Sequence, residues 1–122
     1  MSEAPMVRVD ARGFIIGSLI GEVTDEMMVE CSRQIRDTPE FQTGMPVLID
    51  LTQATSVRIT TDQLVGVAKA AQKDINRVAI VAPDVTAYGM ARMYEIIADL
   101  TEDEDRVAVY HDEASALIWL GF

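Results

Sequence analysis

The sequence predicts an α/β fold with one mixed five-stranded sheet, flanked by four helices in the order ββαβαβαβα. The most informative segment is residues 77–100, where an apolar run, Val78–Ala82, directly precedes a helical pattern of apolar residues. A strand buried on both faces and followed by a helix is the unit of a parallel sheet. Similar alternation along the rest of the chain predicts a single domain that spans residues 1–122.

The N-terminal segment predicts an antiparallel hairpin. Met6–Asp10 alternates apolar and polar residues, as a half-buried strand does, and Phe14–Ile20 provides the second strand. Between them, Gly13 can adopt the positive φ that a tight turn requires. Gly17, inside the second strand, indicates a bulge or the close approach of another segment.

The middle of the chain predicts two helices on either side of a third strand. Thr24 is a suitable N-cap, and the apolar stripe that follows it predicts a helix that ends near Arg36. Pro46–Leu51 is predicted to be a strand, and Gln53–Ile59 to be a connection. Apolar residues at helical spacing then predict a second helix over Thr60–Asp74.

The C-terminal part of the chain completes the alternation. The helix after the Val78–Ala82 strand is predicted to run to Leu100. Arg106–Tyr110 is the fifth predicted strand. Asp112 is expected to cap a last helix, and Gly121 is expected to end it. Parallel strands joined by helices imply right-handed crossovers, whereas the N-terminal hairpin contributes the antiparallel pair.

The charge and the cysteine content narrow the range of partners and compartments. Twenty acidic and ten basic residues give a formal net charge of -10, which repels phosphate backbones and anionic lipid. Nucleic acid and membrane partners are therefore not expected. The single cysteine rules out a disulfide framework and fits a reducing compartment. Without a signal-peptide pattern or a long apolar run, the expected location is the cytoplasm.

The sequence lacks the common catalytic motifs. It has no phosphate-binding loop, no dinucleotide-binding glycine pattern and no nucleophile elbow. One histidine and one cysteine cannot build a Cys/His zinc site, so no metal or cofactor is expected. Cys31 lies on the apolar stripe of its helix and is expected to be a small core residue. These features predict a protein that is not an enzyme.

Five residues are expected to lie toward the carboxyl edge of the sheet, where ligands approach open α/β sheets. They are Asp50, Thr52, Asp84, Tyr88 and His111. Together they could line a small-molecule crevice, in which a histidine could serve as a base or a ligand. The alternative, which we favour, is that they serve as turn, cap and surface residues.

Thr60 and Thr61 stand at the predicted start of the second helix. A phosphoryl group there would meet free backbone N–H groups and the positive end of the helix dipole, which makes both threonines candidate switch sites. The alternative is a plain N-cap, since Thr60 with Gln63 fits a capping box. We favour the cap, and Asp62 next to it would repel an added negative charge.

The predicted helix that ends at Leu100 is apolar over more of its surface than one sheet contact normally covers. Its polar residues form a narrow stripe that contains Arg92, Glu95 and Asp99. A helix of this kind is either deeply buried or faces a partner. We predict a homodimer through this helix, with Met90, Met93 and Ile97 as its test positions.

Several segments of the chain resemble the small bacterial SpoIIAA-like proteins, which are distant relatives of the STAS domains of anti-sigma-factor antagonists. The resemblance rests on Val47–Thr52, on Val78–Asp84, on the Tyr88–Glu95 run and on the Glu113–Leu120 ending. It implies a mixed sheet flanked by helices. The fold also resembles that of lipid-binding CRAL-TRIO domains.

In the antagonists, a strand that ends in Asp-Leu-Ser leads to an Asp-Ser-Ser/Thr-Gly turn, whose serine is phosphorylated to release a partner kinase. Asp50-Leu51-Thr52 resembles the first part of this pattern. Ile59-Thr60-Thr61-Asp62 occupies the second position, without the aspartate before or the glycine after the hydroxyl pair.

Two functions follow from the residues and the resemblance. The first is a non-enzymatic regulatory or protein-interaction module, expected to be a homodimer and able to bind another protein partner. The alternative is a small-molecule or lipid-binding protein, with its pocket at the carboxyl edge of the sheet.

Overall fold

The structure, a computed structural model, describes residues 4–42, 44–70, 77–101 and 106–122. Its helices and strands alternate along the chain. In order they are β1 (Met6–Val9), β2 (Ile15–Ser18), β3 (Gly21–Thr24), α1 (Asp25–Asp37), β4 (Val47–Asp50), β5 (Ala54–Arg58), α2 (Thr61–Ala70), β6 (Val78–Val81), α3 (Val85–Thr101), β7 (Val107–Tyr110) and α4 (Glu113–Leu120).

The main sheet has five strands in the order β1-β2-β4-β6-β7. Strands β1 and β2 pair antiparallel, and the other neighbours pair parallel. The predicted fold class is therefore confirmed, because the described residues form four helices around a mixed five-stranded sheet.

A second, two-stranded sheet corrects one part of the prediction. The segment predicted to be a connection, Gln53–Ile59, contains β5, which pairs parallel with β3. Both strands follow a strand of the main sheet after a short break, so they extend β2 and β4 beyond its carboxyl edge. The sequence pattern misses β5 because only Ala54 and Val57 in it are half-buried, while its other residues are exposed.

Two helical layers cover opposite faces of the main sheet. Helices α1 and α3 share a core with one face, through residues such as Ile35, Ile80 and Ala91. Helix α4 covers the other face and packs against Phe14 and Leu48. Helix α2 packs against α1 and α3. Helices α1, α2 and α3 each begin shortly after a strand that runs toward the carboxyl edge of the sheet, so their first turns border that edge.

The predicted caps are confirmed. The Thr24 hydroxyl accepts a hydrogen bond from the Met27 N–H at 3.2 Å, and Asp112 Oδ1 accepts one from the Ser115 N–H at 2.8 Å. Gly121 ends α4 in the left-handed conformation, at φ 98°.

Gly17 confirms the prediction of a close approach. A Cβ atom at this position would lie 2.7 Å from the Sγ atom of Cys31 and 3.2 Å from an Ile49 methyl carbon. Helix α1 can therefore lie close to β2 only because residue 17 has no side chain. Cys31 is buried in this contact, as a small core residue should be.

Parts of two predictions lie outside the described residues. Helix α2 is described to Ala70, so the rest of the helix predicted to reach Asp74 is not covered. Residues 102–105, in the solvated acidic loop that the sequence predicts over residues 101–105, also lie outside the described residues. Of the helices in the described ranges, none combines the length and hydropathy needed to cross a bilayer.

Candidate functional site

An open crevice of about 650 Å³ lies at the carboxyl end of the β3–β5 pair. It is bordered by the first turns of α1 and α2, where Asp25, Glu26, Thr60 and Gln63 form its polar walls. The two helices begin side by side because β3 and β5 run parallel and each leads directly into a helix. Two helix N-termini therefore face one surface depression.

The hydroxyl groups of Thr60 and Thr61 serve different purposes. Thr60 and Gln63 form the predicted capping box: the Gln63 N–H donates to Thr60 Oγ1 at 3.2 Å, and the Thr60 N–H donates to Gln63 Oε1 at 2.9 Å. The Thr61 hydroxyl instead donates to the Sδ atom of Met93 on α3, at 3.6 Å. The start of α2 is thereby joined to the outer surface of α3.

At the carboxyl edge of the main sheet, two of the predicted pocket carboxylates hold backbone groups. Asp50 Oδ1 accepts from the Thr52 N–H at 2.8 Å, which shapes the turn after β4. Asp84 Oδ2 accepts from the N–H groups of Thr86 and Ala87 at 3.0 and 3.2 Å, and so caps the start of α3. These contacts are the turn and cap contacts of our favoured interpretation.

The structure brings Tyr88 and His111 together. Their rings stack with centroids 4.0 Å apart and planes 12° apart, which joins α3 to the end of β7. None of the five residues predicted to line a pocket lines the crevice or the cavity described next.

A cavity of about 60 Å³, partly open to solvent, lies between the main sheet and helices α1, α2 and α3. Its walls are mostly apolar, with Ser32, Tyr94 and the buried Arg106 as polar members. Burial raises the pKa of the Cys31 thiol in its wall to about 12, so the thiol stays protonated near neutral pH. The volume suits a few water molecules and is far below the roughly 300 Å³ of a typical ligand pocket.

Helix α3 buries only small residues fully and leaves three of its large apolar residues exposed. The side chains that it buries fully are Ala87, Ala91 and Ala98. Met93, Ile96 and Leu100, which we call the outer row, are 42%, 52% and 82% exposed. An ordinary surface helix turns most of its large apolar residues toward the core, so these three exposed side chains are unusual.

The outer row overlaps only partly with the predicted interface. Met93 is exposed, but Met90 and Ile97 are half-buried, and Met90 packs against the main core. Sequence reasoning missed Ile96 and Leu100. The signal was present: the alanines at i, i+4 and i+11 mark the close-packed face, and residues at i, i+3 and i+7 from Met93 mark the outer one.

The outer row is flanked by charges along one side. Arg92 donates a hydrogen bond to the Glu95 carboxylate one turn later, and Asp99 follows after another turn. Arg92 and Asp99 are both exposed. In the described part of the chain, no cluster of three or more His, Cys, Asp or Glu residues could hold a metal ion.

Comparison with known proteins gives similarity at the level of structure. No family model and no curated protein sequence matches the chain. An uncharacterised DUF3478-family protein with a SpoIIAA-like fold from Shewanella loihica is similar, with a TM-score of 0.60, 17% sequence identity and 98% of each chain covered.

The anti-sigma factor antagonist SpoIIAA, in its unphosphorylated form, is also similar, with a TM-score of 0.54. That match has 12% sequence identity and covers 94% of each chain. Both similarities extend over almost the whole chain and agree with the predicted strand and helix order. The chain therefore has a SpoIIAA-like fold, as its sequence resemblance predicts.

Proposed function

We propose that this protein is a non-enzymatic regulatory module that acts by binding a protein surface through the outer row of α3. The observation that carries the proposal is the exposed outer row of α3, a helix whose fully buried residues are alanines. Full burial of a large apolar side chain contributes about 1.5–3 kcal/mol, and each side chain of the outer row forgoes a part of this. A partner that covers the row supplies this burial.

The position of the row supports a regulatory role. Thr61 touches Met93, so the start of α2 borders the binding surface. The antagonists that this chain resembles carry their phosphorylated serine in the corresponding segment. A phosphoryl group on Thr61 would place about -1.5 to -2 charges beside the apolar row and weaken an apolar contact there. Thr60 and Thr61 thus remain our candidate switch sites.

The small-molecule alternative has weaker structural support. The residues predicted for it are engaged in a turn, a helix cap and a ring stack. The apolar cavity elsewhere in the molecule holds about 60 Å³, and the open crevice of about 650 Å³ has polar walls and contains none of these residues. A lipid needs an apolar space several times larger than this cavity, so we propose protein binding as the function.

Site-specific photo-crosslinking in cells that produce the protein tests this proposal. A benzophenone amino acid in place of Ile96 should form a covalent adduct with another protein chain when the cells are irradiated. The same probe in place of Ile118 is the matched control, since Ile118 is a comparably exposed apolar residue on α4, at 74%. It should give no adduct.

The proposal also requires that formation of the adduct depend on the outer row. Leu100→Asp, introduced together with the Ile96 probe, should remove the adduct because a carboxylate would have to be desolvated in the contact. The proposal is wrong if the Ile96 probe stays uncrosslinked, or if its adduct survives Leu100→Asp.

A further inference from the structure

The outer row of α3 is complementary to itself, and we infer that the protein that covers it is a second copy of this chain. This inference rests on the proposed function, since it names the partner of the same surface. The two copies of α3 lie antiparallel across a two-fold axis that passes near Ile96. Three features of the exposed face support this arrangement: its apolar centre, its apolar flank and its charged flank.

The exposed face of α3 has a simple layout. Ile96 lies at its centre. At 3.6 residues per turn, Met93 and Leu100 fall on one flank of Ile96, while Arg92 and Asp99 fall on the other. On the apolar flank, Met93 comes three residues before Ile96 and Leu100 four residues after it. On the charged flank, Arg92 comes four residues before Ile96 and Asp99 three residues after it.

A two-fold axis reverses the helix direction and places like flanks side by side. With the axis at Ile96, that side chain meets the partner's Ile96. Met93 then lies opposite the partner's Leu100, and Leu100 lies opposite the partner's Met93. Their offsets from Ile96 differ by one residue, or about 1.5 Å along the axis. All three side chains of the outer row are covered in this single register.

The charged flank selects the same register independently. Arg92 lies opposite the partner's Asp99, and Asp99 lies opposite the partner's Arg92, which gives two symmetric ion pairs. A guanidinium has five N–H donors, so Arg92 can keep its hydrogen bond to Glu95 while it binds a second carboxylate. A parallel two-fold pair of helices would instead place the charged flank of one helix against the apolar flank of the other.

Charge complementarity therefore favours a second copy over an unrelated partner. The net charge of -10 by itself would favour a basic protein. The face around the outer row, however, presents one cation and one anion at the spacing that matches its own reversed copy. A single helix pair is a small interface, so we expect a dissociation constant on the order of micromolar.

Charge exchange tests the register. Sedimentation velocity of the full chain at about 0.15 M salt should show a dimer for the unaltered protein. Arg92→Asp places two aspartates opposite each other, and Asp99→Arg places two arginines opposite each other. Each single variant should dimerise about tenfold more weakly or worse.

Mixing the two single variants should restore the dimerisation that each substitution weakens. In an equimolar mixture of the Arg92→Asp and Asp99→Arg proteins, both facing pairs are again opposite in charge, so a heterodimer should form. The Arg92→Asp/Asp99→Arg double variant should dimerise with itself for the same reason. Arg36→Asp, at an exposed position in the last turn of α1, is the matched control and should leave the dimer unchanged.

The possible failures are distinguishable. The second-copy inference is wrong if the unaltered protein is a monomer. It is also wrong if the two single variants fold, as checked by circular dichroism, but do not form a heterodimer when they are mixed. If the Ile96 probe then forms a row-dependent adduct with a different protein, the proposed function still stands. If the Ile96 probe forms no adduct with any protein chain, both the proposed function and the second-copy inference are wrong.

Discussion

Single residues decide how closely the layers of this fold approach each other. At Gly17 there is no room for a methyl group, since its Cβ would lie 2.7 Å from Cys31 Sγ. At Gly89, on the exposed side of α3, a Cβ would meet nothing within 4 Å. The same residue type is therefore required at one position and costs helix stability at the other.

Gly17→Ala should lower the free energy of unfolding by about 1–3 kcal/mol, because the methyl group forces Cys31 or the α1 backbone to move. Urea denaturation measures the change. Adding Cys31→Ala removes the Sγ atom and should recover part of the loss. Gly89→Ala is the control and should raise stability by about 0.5–1 kcal/mol. A Gly17→Ala protein as stable as the unaltered chain would contradict this account of the α1–β2 contact.

Individual residues of the candidate site were the least predictable from sequence. Asp50 and Asp84 follow or end strands, and a carboxylate there can either bind a ligand or accept backbone hydrogen bonds. In the structure both accept backbone hydrogen bonds. The stack of Tyr88 on His111 joins residues that are 23 positions apart in the sequence, and no local pattern indicates it.

At the scale of elements, α3 and α4 bury their residues in different ways. Helix α3 lies close to the sheet through alanines and leaves its outer row exposed. Helix α4 is short, and its attachment includes a contact with Arg77, just before β6. The Arg77 guanidinium lies 4.2 Å from the centre of the Trp119 ring, and its Nη1 donates to the Trp119 carbonyl at 2.7 Å.

Arg77→Lys should loosen the C-terminal end of α4. The lysine keeps the positive charge but loses the planar stack on Trp119, so we expect a loss of about 1 kcal/mol in unfolding free energy. Trp119 is the only tryptophan, and its fluorescence therefore reports on this end of α4 directly. Arg36→Lys on α1 should change stability by less than about 0.5 kcal/mol. Equal effects of the two changes would contradict the anchoring role of Arg77.

At the scale of the whole molecule, three carboxylates make stability depend on pH. Hydrogen bonds from Arg12 lower the pKa of Asp10, and the Ser115 N–H lowers that of Asp112. Hydrogen bonds from Arg33 and Gln34 lower the pKa of Glu30 from 4.5 to about 2. A carboxylate with a depressed folded pKa stabilises the fold above its unfolded pKa, and this contribution is lost as the pH falls.

We therefore expect the urea midpoint to fall as the pH drops from about 4.5 to about 2. Glu30→Gln removes one titrating group and should flatten the decline within this window. Glu40→Gln, at an exposed position in the loop after α1, is the control and should leave the slope unchanged. If Glu30→Gln and the unaltered chain decline identically, the Arg33 contact does not contribute.

The sequence by itself determined the alternation of strands and helices and their caps, because these depend on periodicity and on local hydrogen bonds. The SpoIIAA-like fold was implied by the resemblance of its motifs to known proteins. It also placed Met93 on a surface that faces away from the core. Only the tertiary structure decided which side of α3 is covered, since that depends on how close the alanines bring it to the sheet. The same holds for β5, which is a strand through its pairing with β3 rather than through its own pattern. Local sequence patterns determine local structure. Burial of a helix face and pairing of a strand also depend on segments that are distant in the sequence, here the sheet beneath α3 and the strand β3 beside β5.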